Sequence, residues 1–259
     1  MNDVENLFTL LEPLGLGGWQ YHPQVTSTNQ LALTWAREGA PNHALVVADT
    51  QTAGRGRTGR QWVTNPGAAL AVSLIVRPTS QETAYFSRFT ALAALGIIQA
   101  LARLGLEAVI KWPNDILLDG KKVAGVLVEA DWQAGDLEAL VLGMGVNVSP
   151  QAVPTSDALR YPAISVVDAA GKDVDRWELL ADTLQAMLVI RSYMTEEIFL
   201  QTWNEHLAFR EQWVSFRLPG QEMQRMKIMG VTPDGWLSME TEDGVRVDAV
   251  EGEIGMDSH

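Results

Sequence analysis

No cysteine occurs anywhere in the 259 residues. That absence excludes disulfide frameworks, zinc–thiolate sites and thiol nucleophiles together. Positive charge is also scarce: 19 lysines and arginines stand against 32 aspartates and glutamates, for a net charge of -13. A general binder of nucleic acid or anionic membrane has a basic footprint, so both classes are excluded. Long apolar runs are missing too, and no stretch reaches the ~18 apolar residues of a membrane span. The opening residues, Met1-Asn2-Asp3-Val4-Glu5, lack the basic start and apolar core of a secretory signal. A cytoplasmic location is the expectation.

What is present suffices for a full core. At 47% apolar content the chain suits one large domain, or one large and one small. Residues 4–11 predict a short amphipathic helix, ended by Gly15, Gly17 and Gly18, and Trp19–Val25 reads as a strand. Ser27-Thr28-Asn29-Gln30 follows. Serine three residues ahead of glutamine predicts a capping box, in which the Ser27 side chain satisfies orphan backbone N–H groups. A helix N-terminus of this kind also suits the polar head of a ligand.

The apolar run Ala44–Ala48 predicts a buried strand, and directly after it stands Thr50-Gln51-Thr52-Ala53-Gly54-Arg55-Gly56-Arg57-Thr58-Gly59-Arg60-Gln61-Trp62. Glycine lets a backbone approach a ligand closely, and arginine brings a fixed fork of donors for phosphate and carboxylate oxygens. By itself such a loop also reads as a solvated basic turn. Its place between strands, in an acidic chain, favours a local polyanion site. Ala69–Val76 reads as another buried strand, and residues 82–104 as a helix whose small residues lie close against the sheet.

A second constellation follows the short strand Glu107–Ile110: Lys111-Trp112-Pro113-Asn114-Asp115. Asp119-Gly120, between apolar runs, predicts a tight hairpin that places Lys111 and Lys122 on neighbouring strands. A lone lysine at a strand end reads as a solvated edge residue. Two lysines, a carboxylate and an asparagine beside an arginine loop read better as a set that neutralises a triphosphate, with the carboxylate on magnesium. Gly143 and Gly145, in a further strand, predict that a ligand or another backbone packs there.

Residues 150–163 read as irregular, 176–194 and roughly 196–209 as helices covering the sheet. From Trp213 the pattern changes to short strands punctuated by Asp234-Gly235 and Asp243-Gly244, which suggests a small β-barrel of about 50 residues.

Together these blocks resemble the biotin protein ligases. The resemblance rests on Ser27-Thr28-Asn29, on Gln51 to Arg60 with Trp62, on Lys111 to Asp115, on Lys122-Val123-Ala124-Gly125-Val126-Leu127-Val128-Glu129, and on Gly143-Met144-Gly145-Val146-Asn147. It implies an α+β fold: a mixed-sheet catalytic domain of the biotin/lipoate ligase type, similar to class II aminoacyl-tRNA synthetases, over residues 1–210, then an SH3-like barrel over 211–259. It also implies the activity. Biotin and ATP condense to biotinyl-5'-AMP with release of pyrophosphate, and the biotinyl group passes to a lysine of a biotin carboxyl carrier protein of acetyl-CoA carboxylase.

By the same resemblance Ser27, Thr28 and Gln51 hold the biotin ureido ring, with Asn29 close by and Gly54, Arg55 and Gly125 lining the pocket. Arg55 and Arg57 hold the carboxylate and phosphates, and Lys122 sits at the reacting carboxylate and α-phosphate. Arg60, Trp62, Lys111, Asn114 and Asn147 belong to the ATP side, and Asp115 is the candidate magnesium ligand. Glu251-Gly252-Glu253-Ile254 resembles the ending that comes near the nucleotide in this family. Many relatives carry an N-terminal winged-helix repressor domain; fewer than 30 residues precede Ser27 here, so a monofunctional ligase that does not bind DNA is expected. A homodimer through sheet edges is compatible with the pattern. The competing readings are a lipoate or octanoate ligase on the related fold, and a binding module that retains an adenylate or recruits partners without turnover.

Overall fold

The computed structural model describes residues 3–154 and 161–255. Helix α1 (Asp3–Leu11) leads into strand β1 (Trp19–Val25), helix α2 (Thr28–Arg37) and strands β2 (Leu45–Gln51) and β3 (Ala69–Val76). After helix α3 (Arg88–Arg103) come β4 (Ala108–Lys111), β5 (Asp115–Leu118), β6 (Lys121–Gln133) and β7 (Asp136–Asn147). These seven strands form one mixed sheet in the order β1-β2-β3-β7-β6-β5-β4. Only the β1–β2 pair is parallel.

The sheet is covered on both faces, and the alternation of side chains along each strand divides the core accordingly. Leu45 and Val47 join the large core with α1, α3 and helix α5 (Arg176–Arg191), whereas Val46 packs with Ala32 and Ala36 of α2 on the other side. All eight residues of β3 are buried. The predicted helix over 82–104 is in fact a 3-10 turn at Glu82–Tyr85 followed by α3. Gly96 of α3 serves a helix–helix contact instead of a close approach to the sheet: a side chain there would overlap Met187 of α5. The Asp119-Gly120 hairpin forms as expected, with both residues at positive φ (49° and 72°).

One sequence expectation about the sheet needs correcting. Lys111 and Lys122 do not lie on neighbouring strands, because β5 runs between β4 and β6. The two lysines therefore flank Asp115, whose register partners are Lys111 on one side and Gly125 on the other. Part of the irregular stretch 150–163 lies outside the described residues; a 3-10 turn occupies Pro150–Ala152.

After helices α4 (Val166–Ala170) and α6 (Glu197–Glu205), a five-stranded antiparallel sheet forms from β8 (Trp213–Arg217), β9 (Met223–Val231), β10 (Leu237–Thr241), β11 (Arg246–Ala249) and β12 (Glu253–Gly255). Its order is β11-β10-β9-β8-β12. The β9–β10 turn anchors it to the larger sheet through backbone carbonyls. Trp112 Nε1 donates to Gly235 O at 3.1 Å, and Ser87 Oγ to Asp234 O at 2.5 Å. Buried Arg88 reaches Met194 O at 2.7 Å and Pro233 O at 3.4 Å, so its charge is met by carbonyl dipoles.

Candidate active site

The site is built where β2 ends and α2 begins. Gln51, the last residue of β2, accepts hydrogen bonds at Oε1 from Thr28 N (2.8 Å) and Thr28 Oγ1 (3.1 Å). Its own N–H donates to Thr64 Oγ1 at 2.7 Å. Ser27 does take the N-cap position, but its side chain makes no capping hydrogen bond; the predicted capping box is replaced by a cap from Gln51, a residue of the neighbouring strand. This leaves the buried Ser27 hydroxyl lining the cavity.

Asn29 forms the floor. Its amide donates to Leu127 O at 3.1 Å and Glu129 Oε2 at 2.8 Å, and its Oδ1 accepts from the buried Ser73 hydroxyl at 2.6 Å. The two strand glycines make room for side chains of this same protein, and both also line the cavity described below. A Cβ on Gly143 would overlap the Asn29 amide, and one on Gly145 would overlap the Trp62 indole.

The arginine loop folds as a small hairpin. Arg55 bridges to Gln61, Gly56 N donates to Arg60 O at 2.8 Å and Trp62 N to Gly54 O at 2.9 Å. The hairpin aims its arginines in three directions. Arg55 reaches Glu129 at 3.0 Å, beside Asn29, and Arg60 reaches Glu253 at 3.2 Å on the C-terminal sheet. Arg57, half-buried, lines the cavities described below; burial lowers its pKa, opposed by Glu251 and Asp115.

Lys122 pairs with Asp115. Gly125 faces that pair, since a Cβ there would stand 3.3 Å from Lys122 Nζ. Lys111 is only 6% exposed, and burial pulls its pKa down to about 8 against the opposing pull of Asp115 and Glu253. Asn114 braces the strand pair, its amide donating to Val126 O at 2.7 Å.

Two connected cavities result. The first, of about 130 Å³, is lined by Ser27, Thr28, Asn29, Gln51, Arg55, Trp62, Lys122, Gly125 and apolar Val72, Leu127 and Met144. The second, an open cleft of about 400 Å³, is lined by Lys111, Pro113, Tyr161, Arg217 and residues 251–254. Arg57, Arg60, Asn114 and Asp115 line both. Gly54 lies at the outer mouth of the loop. Asn147 lines neither of these cavities; it is buried and its amide reaches Ile164 O at 3.4 Å. Ser73, Thr64, Tyr161 and Arg217 belong to the site's surroundings but stand in no motif, and Glu129 ends the motif that begins at Lys122.

Such a site can hold an uncharged polar head and an apolar chain in one chamber and a polyanion in the other, with fixed cations at the junction. Comparison with known proteins points the same way. The model of the biotin/lipoate A/B protein ligase family matches residues 21–147. The bifunctional ligase/repressor BirA of Bacillus subtilis is 34% identical over 243 residues, covering 87% of this chain and 70% of the relative. This chain belongs to the biotin protein ligase family. Within that family, BirA of Escherichia coli is 30% identical over 262 residues, covering 98% of this chain and 78% of the relative. The solved biotin protein ligase of Aquifex aeolicus, in complex with biotin and ATP, shares the fold with a TM-score of 0.76. Its identity is 24%, covering 92% of this chain and 97% of that one. No helix among the described residues is long and apolar enough to cross a membrane.

Proposed function

We propose that this chain is a biotin–protein ligase that activates biotin with ATP and transfers the biotinyl group to a lysine of a biotin carboxyl carrier protein of acetyl-CoA carboxylase. The observation that carries the reading is the junction of the two cavities, where Arg57, Asp115 and Lys122 meet. In the first step a biotin carboxylate oxygen attacks the α-phosphorus and pyrophosphate leaves. Two anions must be brought together, so catalysis is positioning plus fixed positive charge. In the second step the acceptor amine attacks the acyl carbon and AMP leaves.

The residue roles follow the chambers. Ser27, Thr28 and Gln51 hold the ureido ring, Asn29 closes the floor beside them, and Val72, Leu127 and Met144 cover the apolar chain. Arg57 and Lys122 act on the reacting carboxylate and α-phosphate. Lys111, Arg60 and Asn114 serve the nucleotide side. Arg55 acts from the ureido end, through its pair with Glu129. Trp62 offers an indole N–H that has no partner among the described residues.

Magnesium fits this donor set in one way. Among the described residues no cluster of three or more metal-binding side chains occurs, and magnesium commonly rests on one or two carboxylates plus substrate phosphates. Asp115 would hold it, and the ion would supply charge neutralisation on the phosphates. We also propose a domain boundary near residue 210 with an SH3-like second domain, a cytoplasmic location and a homodimer through sheet edges.

The test is transfer. Labelled biotin should enter an isolated carboxyl carrier domain with Mg-ATP, and should fail to enter the same domain with its acceptor lysine changed to arginine. Persistent binding of biotin without transfer would favour a binding module.

A further inference from the structure

The cleft side of the site is closed by a residue that none of the motifs contains. Residues 161–164 run beside the start of β6, where Lys122 and Ala163 form a parallel bridge. Lys122 N donates to Pro162 O at 2.8 Å, and Ile164 N to Lys122 O at 3.0 Å. Asn147 reaches Ile164 O from the end of β7. Lys122 is thus strapped in place through its own backbone, and the strap carries Tyr161.

The Tyr161 ring lies under the Lys111 ammonium, with Nζ 3.5 Å from the ring centroid. Its hydroxyl lies 3.0 Å from Glu253 Oε1 and 3.2 Å from Ile254 O. Glu253 in turn takes Arg60 at 3.2 Å and Arg217 at 2.6 Å. Among the described residues no carboxylate pairs with Lys111 within ion-pair distance. An aromatic face attracts an ammonium without neutralising it, so the charge stays available to an anion while its direction is set.

We propose that Tyr161 is a positioning residue for the nucleotide half of the reaction. Its ring aims Lys111 into the cleft, and its hydroxyl holds Glu253, which fixes the loop's Arg60. The inference rests on the reading of the cleft as the nucleotide side.

The experiment measures dissociation constants for α,β-methylene-ATP and for biotin by calorimetry. The variants are Tyr161→Phe and Tyr161→Leu, each made with Lys111 intact and with Lys111→Met. Tyr161→Phe keeps the ring and should weaken nucleotide binding about threefold through the loss of the Glu253 contact. Tyr161→Leu should weaken it a further tenfold or so, with biotin affinity unchanged in both. In the Lys111→Met background the two Tyr161 variants should bind nucleotide equally, because the ring then has no ammonium to aim. A Leu-to-Phe difference of the same size in both backgrounds would overturn the role of Tyr161, as would an equal loss of biotin affinity. If Lys111→Met alone weakens biotin and leaves nucleotide affinity unchanged, the assignment of the cleft itself fails and the inference falls with it.

Discussion

The indole of Trp62 packs against Gly145 of β7, in space that a Cβ at that position would occupy. Trp62 ends the arginine loop and is hydrogen-bonded to Gly54 at its start. The pair therefore ties the loop to the central sheet. Gly145→Ala should push the indole away and carry the loop with it. Overpacking of this kind costs about 1–3 kcal/mol, and biotin affinity should fall at least tenfold. Calorimetric titration with biotin and a denaturation curve on the same protein measure both effects.

Asn29, Ser73 and Glu129 make a graded pair of predictions. Ser73 is fully buried, and its hydroxyl is one donor to Asn29 Oδ1. Ser73→Ala leaves that oxygen short of its donor and should cost about 1–3 kcal/mol of stability. The Arg55–Glu129 pair is partly exposed, at 48% and 24%, where ion pairs contribute ~0–1 kcal/mol. Glu129→Gln should therefore leave stability nearly unchanged while freeing Arg55 and weakening biotin binding. Equal loss of stability in the two variants would contradict this division.

Lys122 should separate binding from chemistry. Lys122→Met removes the cation at the junction but none of the ureido contacts. Loss of a charge-stabilising donor costs about 10²–10³ in rate, so adenylate formation should fall by at least that factor, with biotin affinity changed far less. Single-turnover assays and biotin titration report the two quantities separately.

Stability should depend on pH through a cluster remote from the site. Arg191 forms a two-pronged pair with Glu82 at 2.8 and 2.9 Å, and its other nitrogen lies 2.7 Å from His43 Nε2. Burial and then Arg191 hold His43 below its ordinary pKa of 6.5, against a smaller opposing pull from Glu82. Burial would raise Glu82, but hydrogen bonds from Arg191 and Thr79 outweigh it and hold the carboxyl below 4.5. Both groups bind protons more tightly in the unfolded chain, so both contributions are full above the unfolded values and are lost as pH falls. Denaturation midpoints should drop first below about pH 6.5 and again below about 4.5. His43 has φ 63°, which asparagine tolerates, so His43→Asn should remove the first drop and leave the second.

Much of this architecture was legible where local chemistry dictates structure. The strand over 69–76 is observed within those bounds because eight consecutive buried positions leave no polar face to misplace. Asp119-Gly120 turned as expected because both residues accept positive φ. Strand β12 and helix α4 have no sequence signature: three and five residues carry no period, and β12 exists through its pairing with β8. In the site, the motifs named nearly every residue lining the first cavity. They could not show which residue meets which. Arg55 and Glu129 stand 74 positions apart, and the Gln51 cap on α2 bridges 23. Tyr161 belongs to no motif at all.

The central claim is that the two chambers condense biotin with ATP. The most direct measurement is mass spectrometry of the purified chain after incubation with Mg-ATP and equimolar biotin, lipoate and octanoate. The account predicts biotinyl-5'-AMP as the adenylate formed. Lipoyl-AMP or octanoyl-AMP in its place would contradict the ureido assignment of Ser27, Thr28 and Gln51, and absence of any adenylate would contradict the reaction itself.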